Sequence, residues 1–304
     1  MRAMWSGMMA PLLCAIATAS AVAQDYGDTP YVQTPQVVVD KMLEIAKVTA
    51  KDYLIDLGSG DGRLIITAAK QYGARGFGVD LNKSLVTLAN RNAAKAGVAS
   101  RAVFYERDLH ETDIRQADVL TIYLLPEVNL MVRPRILELK PGTRLVSHDY
   151  GFGEWPPDVE IVMDAPGKPV GRDQKSKVMF WVVPARVAGK WAWPASGGGG
   201  SYYELQLDQV FQKISGSMAL AGRSAKIEKA MLTGEAISFS ATLQEGGKPV
   251  HYEFSGKVIN NAIAGEMRRG SNGGNGSVAE AWNATRTELR DARMTDLKPG
   301  VIAR

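Results

Sequence analysis

The run Leu54-Ile55-Asp56-Leu57-Gly58-Ser59-Gly60-Asp61-Gly62-Arg63 constrains the fold of this chain more than any other stretch. Apolar β-formers lead into an acid, glycines stand on alternate positions, and a helical pattern follows through Leu64-Ile65-Ile66-Thr67-Ala68-Ala69-Lys70. A strand that ends at an acid and turns through glycines presents bare backbone to a ligand. The spacing decides which ligand. A dinucleotide fingerprint reads G-x-G-x-x-G, with the pyrophosphate at the helix N-terminus. Here the order is D-x-G-x-G-x-G, and Arg63 stands where the third fingerprint glycine would be. That spacing, with no recognisable hydride-transfer residues, disfavours a nicotinamide-dependent oxidoreductase.

Matching acids follow at the ends of later strands. Ala74-Arg75-Gly76-Phe77-Gly78-Val79-Asp80 reads as a second strand closing on an acid. In nucleotide-binding α/β folds an acid about 20 residues beyond the glycine loop accepts the ribose hydroxyls, a role that falls to Asp80. Asn82 reads as the cap of a helix with Leu85, Leu88 and Ala89 on one face, closing at Gly97. A third strand, Ala102-Val103-Phe104-Tyr105, leads to Asp108-Leu109. A single strand-end acid is ordinarily a solvated charge; three in order after three successive strands weigh against that.

The glycine loop resembles motif I of the class I S-adenosylmethionine-dependent methyltransferases. The resemblance implies that Asp56, Gly58, Gly60 and Gly62 hold the methionine end of S-adenosylmethionine, with Asp108 and the adjoining Leu109 at the adenine. It extends to Tyr31-Val32-Gln33-Thr34-Pro35-Gln36, ahead of Val37–Leu43, and on through Tyr123-Leu124-Leu125-Pro126 and Ser147-His148-Asp149-Tyr150 to Trp155. These segments are similar to the branch holding the protein-lysine methyltransferases that modify the ATP synthase c-subunit and the adenine nucleotide translocase. The similarity runs from about Tyr31 to Ala185 and adds Tyr31 and Thr34 to the implied cofactor residues.

Methyl transfer from a sulfonium is an in-line displacement, so the chief task is aligning a lone pair behind the methyl carbon. Tyr123 leaves a predicted strand (Val119–Ile122) at the carboxyl edge, where open α/β sheets bind ligands. Family members acting on adenine or glutamine amides carry Asn/Asp-Pro-Pro-Tyr there. Tyr-Leu-Leu-Pro in its place argues against a nucleobase substrate. Tyr123, His148 and Asp149, with Tyr150 and Trp155, are candidates for an acceptor pocket whose aromatic faces attract an amine. Ordinary packing is the alternative for each, and no general base is identifiable. The implied acceptor is a protein lysine or another amine, including a small molecule.

Composition sets outer limits. With 304 residues and 45% hydrophobic content, two packed domains are the natural expectation. Net charge is +4 without long basic runs. Arg133, Arg135 and Lys140 share one helical region, read as a solvated face, so nothing points to nucleic acid. Three scattered histidines and one cysteine give no metal-ligand spacing. At the amino terminus, Arg2, an apolar run from Met8 to Ala19 and Ala21-Val22-Ala23 make the pattern of a secretory signal over residues 1–23, too short for a stable membrane span. Export to a periplasm or beyond sits awkwardly with a cofactor made in the cytosol. An exported, non-catalytic binding protein with this fold is therefore the second functional reading.

Alternating strand and helix signals imply an α/β methyltransferase domain over 24–186, with a seven-stranded Rossmann-like sheet whose last strand is antiparallel. Pro126–Leu139 reads as a helix interrupted or restarted at Pro134. Val159–Met163 and Val178–Val183 read as the closing antiparallel pair. Residues 187–201, rich in glycine, read as a linker. From 202 to 290 the period drops to two, as in Ile237, Phe239, Ala241 and Leu243, with a hairpin at Glu245-Gly246-Gly247-Lys248. This implies a small antiparallel all-β domain of six to eight strands, followed by a charged tail over 291–304.

Overall fold

In the computed structural model the described residues are 31–195, 200–270 and 278–290. The stretch read as an amino-terminal signal, most of the glycine run and the stretch read as a charged tail lie outside them.

Seven strands form the first sheet: β1 (Tyr53–Leu57), β2 (Arg75–Asp80), β3 (Ala102–Glu106), β4 (Val119–Ile122), β5 (Arg144–His148), β6 (Val159–Asp164) and β7 (Lys175–Val182). Their order is β3-β2-β1-β4-β5-β7-β6. β1 to β5 are parallel, and β7 runs antiparallel to both β5 and β6. The chain steps outward from β1 to β3, then crosses to the other side of β1 at β4. That reversal opens a crevice at the carboxyl ends of β1 and β4, where such sheets bind ligands.

Both faces of the sheet are covered. Leu54 packs with α1 (Gln36–Ile45), α2 (Arg63–Tyr72) and α3 (Lys83–Lys95), whereas Ile55 and Leu57 pack on the opposite side with α4 (Pro126–Ile136). Helix α2 ends at Gly73 in the left-handed conformation (φ 72°), a glycine C-cap. Asn82 caps α3, accepting from the amides of Ser84 (2.9 Å) and Leu85 (3.3 Å). The buried face of α3 is Val86, Ala89 and Ala93, not the predicted Leu85 and Leu88. Small residues there let the helix approach so closely that a Cβ on Gly62 would lie 2.9 Å from that of Ala89. Pro134 does not interrupt α4. It sits in the last turn, where the missing N–H forfeits one bond close to the helix end.

The second sheet has nine strands, eight of them between residues 202 and 290, within the six to eight read from the periodicity, and one ahead of them: β8 (Gly189–Pro194), β9 (Tyr202–Val210), β10 (Lys213–Leu220), β11 (Arg223–Lys226), β12 (Glu228–Thr233), β13 (Ala236–Glu245), β14 (Lys248–Ile259), β15 (Ala262–Gly270) and β16 (Val278–Leu289). Neighbours pair antiparallel in the order β11-β10-β9-β8-β16-β15-β14-β13-β12. The edge strands β11 and β12 are consecutive in the chain, separated by Ile227 alone. The sheet therefore curls until its edges meet, and the Ile227 amide donates to the Gly216 carbonyl of β10 at 3.0 Å. Alternate side chains, among them Trp193, Tyr203, Phe254 and Trp282, fill the interior. β8 falls within the stretch read as linker: buried Trp191 and Trp193 make it a paired strand despite the glycines that follow.

Candidate active site

The loop after β1 is held against β2. Amides of Gly58 and Ser59 both donate to the Val79 carbonyl at 2.9 Å. Two glycines strain any substitute. Gly58 (φ 78°) would place a Cβ 2.7 Å from Leu124 Cδ2, and Gly62 (φ 84°) would place one 2.6 Å from the Phe104 ring. Gly60 also has a left-handed backbone (φ 53°). Asp80, at the end of β2, accepts from the Gly60 amide with Oδ2 (3.0 Å) and from the Asn82 amide with Oδ1 (2.8 Å). Each oxygen keeps a further lone pair for a ligand. Asp108 is half-buried and accepts from the His110 amide at 2.8 Å. Leu109 is half-buried against the α4-side core.

Asp56 is sealed beneath this loop, 2% exposed, and its Oδ1 accepts from Thr121 Oγ1 at 2.6 Å. Burial pushes its carboxyl up to about 7, against the opposing effect of the Thr121 hydrogen bond; the negative charges of Asp80 and Asp61 add to the rise. The bared glycine backbone and the open carboxylate lone pairs after β2 and β3 suit a molecule with a ribose diol and an exocyclic amine. The donor set fits S-adenosylmethionine on these grounds.

The leading segment is tied to the loop by Arg63, which the sequence pattern marks only as a departure from a fingerprint. Arg63 forks onto Asp61 through Nε (2.9 Å) and Nη2 (2.6 Å) and donates from Nη1 to the Thr34 carbonyl at 2.6 Å. Thr34 is buried, and its Oγ1 lies 3.2 Å from His148 Nδ1. Tyr31 is 41% exposed.

On the other side of the crevice, residues after β4 and β5 come together. The Tyr123 and His148 rings are 4.0 Å apart, and Tyr150 stacks on Tyr123 at 6.3 Å. His148 is fully buried, with Nε2 2.8 Å from Ser176 Oγ; burial pushes it down to about 4, so the ring is neutral near pH 7. Burial, with the nearby Asp149 charge, also raises the Tyr123 phenol. Asp149 has a left-handed backbone (φ 60°), uncommon outside glycine, fixed by the Tyr150 amide donating back to the His148 carbonyl at 2.7 Å. Its Oδ1 accepts from the Lys177 amide at 3.0 Å and its Oδ2 lies 2.8 Å from Lys168 Nζ, with the Tyr123 hydroxyl at 3.5 Å. Nothing in the sequence singles out Lys168, one lysine in a polar loop.

Trp155 lies apart from this cluster. It is buried, stacks on Phe211 at 6.0 Å, and donates from its indole to Gln212 Oε1 at 3.1 Å. Gln212 returns a bond to the Pro156 carbonyl at 2.8 Å, and Arg133 of α4 lies over the Phe211 ring. The β9–β10 turn of the second sheet thus braces the segment carrying Tyr150 to Pro156, a packing role in place of the predicted pocket role for Trp155. A cleft of about 680 Å³ lined by Leu139, Pro184, Arg186, Val258 and Arg286 holds none of the predicted site residues.

Known proteins are similar to this chain in sequence. A family model described as the ANTKMT methyltransferase domain matches residues 56–159. A protein-lysine N-methyltransferase of Saccharolobus islandicus is 48% identical over 137 residues, 44% of this chain and 85% of the relative. The adenine nucleotide translocase lysine N-methyltransferase of Mus musculus is 32% identical over 130 residues, and the match spans 42% of this chain and 56% of that protein's length. Among solved structures, an RNA methyltransferase from Salinibacter ruber in complex with S-adenosyl-L-homocysteine shares 46% identity over 51% of this chain and 96% of its own, with a TM-score of 0.47. With most of the archaeal relative's length matched at that identity, the chain belongs to the family of protein-lysine N-methyltransferases, enzymes of the S-adenosylmethionine-dependent class.

Proposed function

We propose that this chain N-methylates a lysine side chain of a protein acceptor, a small-molecule amine being the narrower alternative. The observation that carries the reading is Asp149, a carboxylate held at a strained backbone position beside the Tyr123 and Tyr150 rings. A carboxylate among aromatic rings is chemistry suited to an alkylammonium group.

Asp80 and Asp108 would hold the cofactor's ribose and adenine, and the Gly58–Gly62 backbone its methionine end. When bound, the cofactor supplies a methyl group on a sulfonium, and the bonding pair of the broken carbon–sulfur bond stays with sulfur. The acceptor amine must arrive at that carbon neutral. His148 is neutral, weakly basic and engaged at both nitrogens, so it is poorly suited to take the proton, which passes to solvent. As the amine forms its new bond, positive charge grows on nitrogen. The fixed Asp149 carboxylate then stabilises the transition state more than the neutral reactant.

Calorimetric titration with S-adenosylmethionine, beside an Asp80→Ala control, tests the cofactor half. Affinity falls about tenfold or more in the control, from loss of charged hydrogen bonds. Mass spectrometry of a lysine-containing acceptor after incubation tests the other half. A folded protein that ignores the cofactor, or methyl groups found only on atoms other than amines, overturns the reading.

A further inference from the structure

We propose that Asp149 Oδ2 is the seat for the acceptor's ammonium group, and that Lys168 occupies this seat until an acceptor lysine displaces it. The inference rests on the amine-methylation reading above and adds to it the internal competitor for the acceptor.

Lysine is among the residues least often buried, yet the Lys168 side chain is only 9% exposed. Its Nζ lies 2.8 Å from Asp149 Oδ2 and donates to the Lys175 carbonyl at 2.6 Å. Among its described partners Lys168 is the close one for that oxygen. His148 Nε2 and the Tyr123 hydroxyl stand back at 3.5 Å, and Oδ1 is committed to the Lys177 amide. The ammonium therefore sits on the same carboxylate oxygen that the Tyr123 hydroxyl approaches.

The loop between β6 and β7 is shaped to deliver this side chain. Gln174, at φ 46°, accepts from the Gly167 amide with Oε1 at 2.8 Å and donates from Nε2 to the Lys168 carbonyl at 3.2 Å. The Lys168 amide donates to the Ala165 carbonyl at 3.1 Å. These bonds fix the backbone, so displacing Lys168 requires only its long side chain to swing from its root.

Lys168 Nζ is chemically the same group as the one an acceptor lysine presents. Two like ammonium groups repel each other at one oxygen, so binding of the acceptor favours the departure of Lys168. Apparent acceptor affinity is then reduced by the fraction of molecules in which the seat is open. Lys168 gives up a largely buried ion pair when it leaves, but the arriving ammonium restores that pair, so an acceptor held by further contacts can displace it.

The test uses the full chain with 15N-labelled lysine. A salt-bridged, shielded ammonium gives a slowly exchanging 15Nζ signal, assigned to Lys168 by its loss in Lys168→Met. Addition of n-butylammonium, a lysine side-chain mimic, is expected to erase that signal, whereas sodium at equal concentration leaves it. With poly-L-lysine as acceptor, Lys168→Met is expected to lower KM about fivefold at unchanged cofactor affinity, and Lys168→Arg to keep the wild-type KM. A Lys168 signal that persists through the butylammonium titration, or a Lys168→Met KM at or above wild type in a folded protein, overturns the proposal. Absence of cofactor binding in the wild type would instead overturn the methyltransfer reading, and the butylammonium titration would still decide whether Asp149 is an amine seat.

Discussion

Thr121 and Asp56 face each other across neighbouring strands, in register, with the threonine hydroxyl 2.6 Å from the carboxylate and both side chains closed to solvent. The native acid holds its proton up to about 7, while the unfolded acid loses it near 3.9. Asp56 therefore favours the fold fully below the unfolded value, and that contribution is lost as pH rises through about 7. Urea denaturation at pH 5 and pH 8 is expected to show a fall on the order of 3 kcal/mol attributable to this group, absent in Asp56→Asn. A variant with the same pH slope as the wild type would contradict the assignment.

His148 acts in the opposite sense. Its native value lies near 4 and its unfolded value near 6.5, so its contribution is complete above the latter and is lost as pH falls through the former. Acid denaturation of His148→Gln should lose this descending limb. Between about 4 and 6.5 the two residues offset one another, so the single variants should diverge most in that window.

Gly62 and Gly97 share a left-handed backbone but not their surroundings. A Cβ at Gly62 meets the Phe104 ring at 2.6 Å; at Gly97 it meets nothing within 4 Å. Gly97→Ala is expected to cost about 1 kcal/mol from backbone strain alone. Gly62→Ala adds overpacking and should cost about 2–4 kcal/mol, together with cofactor binding. Equal losses in thermal denaturation would show that the loop yields at Phe104.

Phe211 ties the second sheet to the acceptor side of the crevice through Trp155 and Arg133. Phe211→Ala empties a site 4% exposed and should cost about 3–5 kcal/mol. Because the brace reaches the Tyr150–Pro156 segment and not the glycine loop, KM for the acceptor should rise while calorimetric affinity for the cofactor is kept. The reverse pattern would place the brace elsewhere.

What the sequence discloses depends on how far each interaction reaches along the chain. The glycine turn, Asp80 and the Asn82 cap are encoded within a few residues, and each stands where the local pattern implies. The Arg63 fork is just as local on Asp61, but its meaning lies in Thr34, which only the fold brings near. Lys168 and Gln212 act on partners in other segments, and neither residue type carries a local signature. The buried face of α3 departs from the hydrophobic pattern because residue size outweighs hydrophobicity: alanines serve closeness there, not apolar area. In β8 the aromatic alternation of Trp191 and Trp193 outweighs the glycines beyond them.

The passage between the two sheets has a practical consequence. Val183, Ala185, Val187 and Ala188 are all buried, each no more than 2% exposed, and the Ala185 amide donates to the Gly234 carbonyl at 2.8 Å. A protease meeting the native protein finds little extended chain to grip there. The halves are welded instead of strung together, and a gene cut at this point would leave Trp155 facing water. Transplanting the catalytic half onto another scaffold would require carrying the β9–β10 turn along as its keystone.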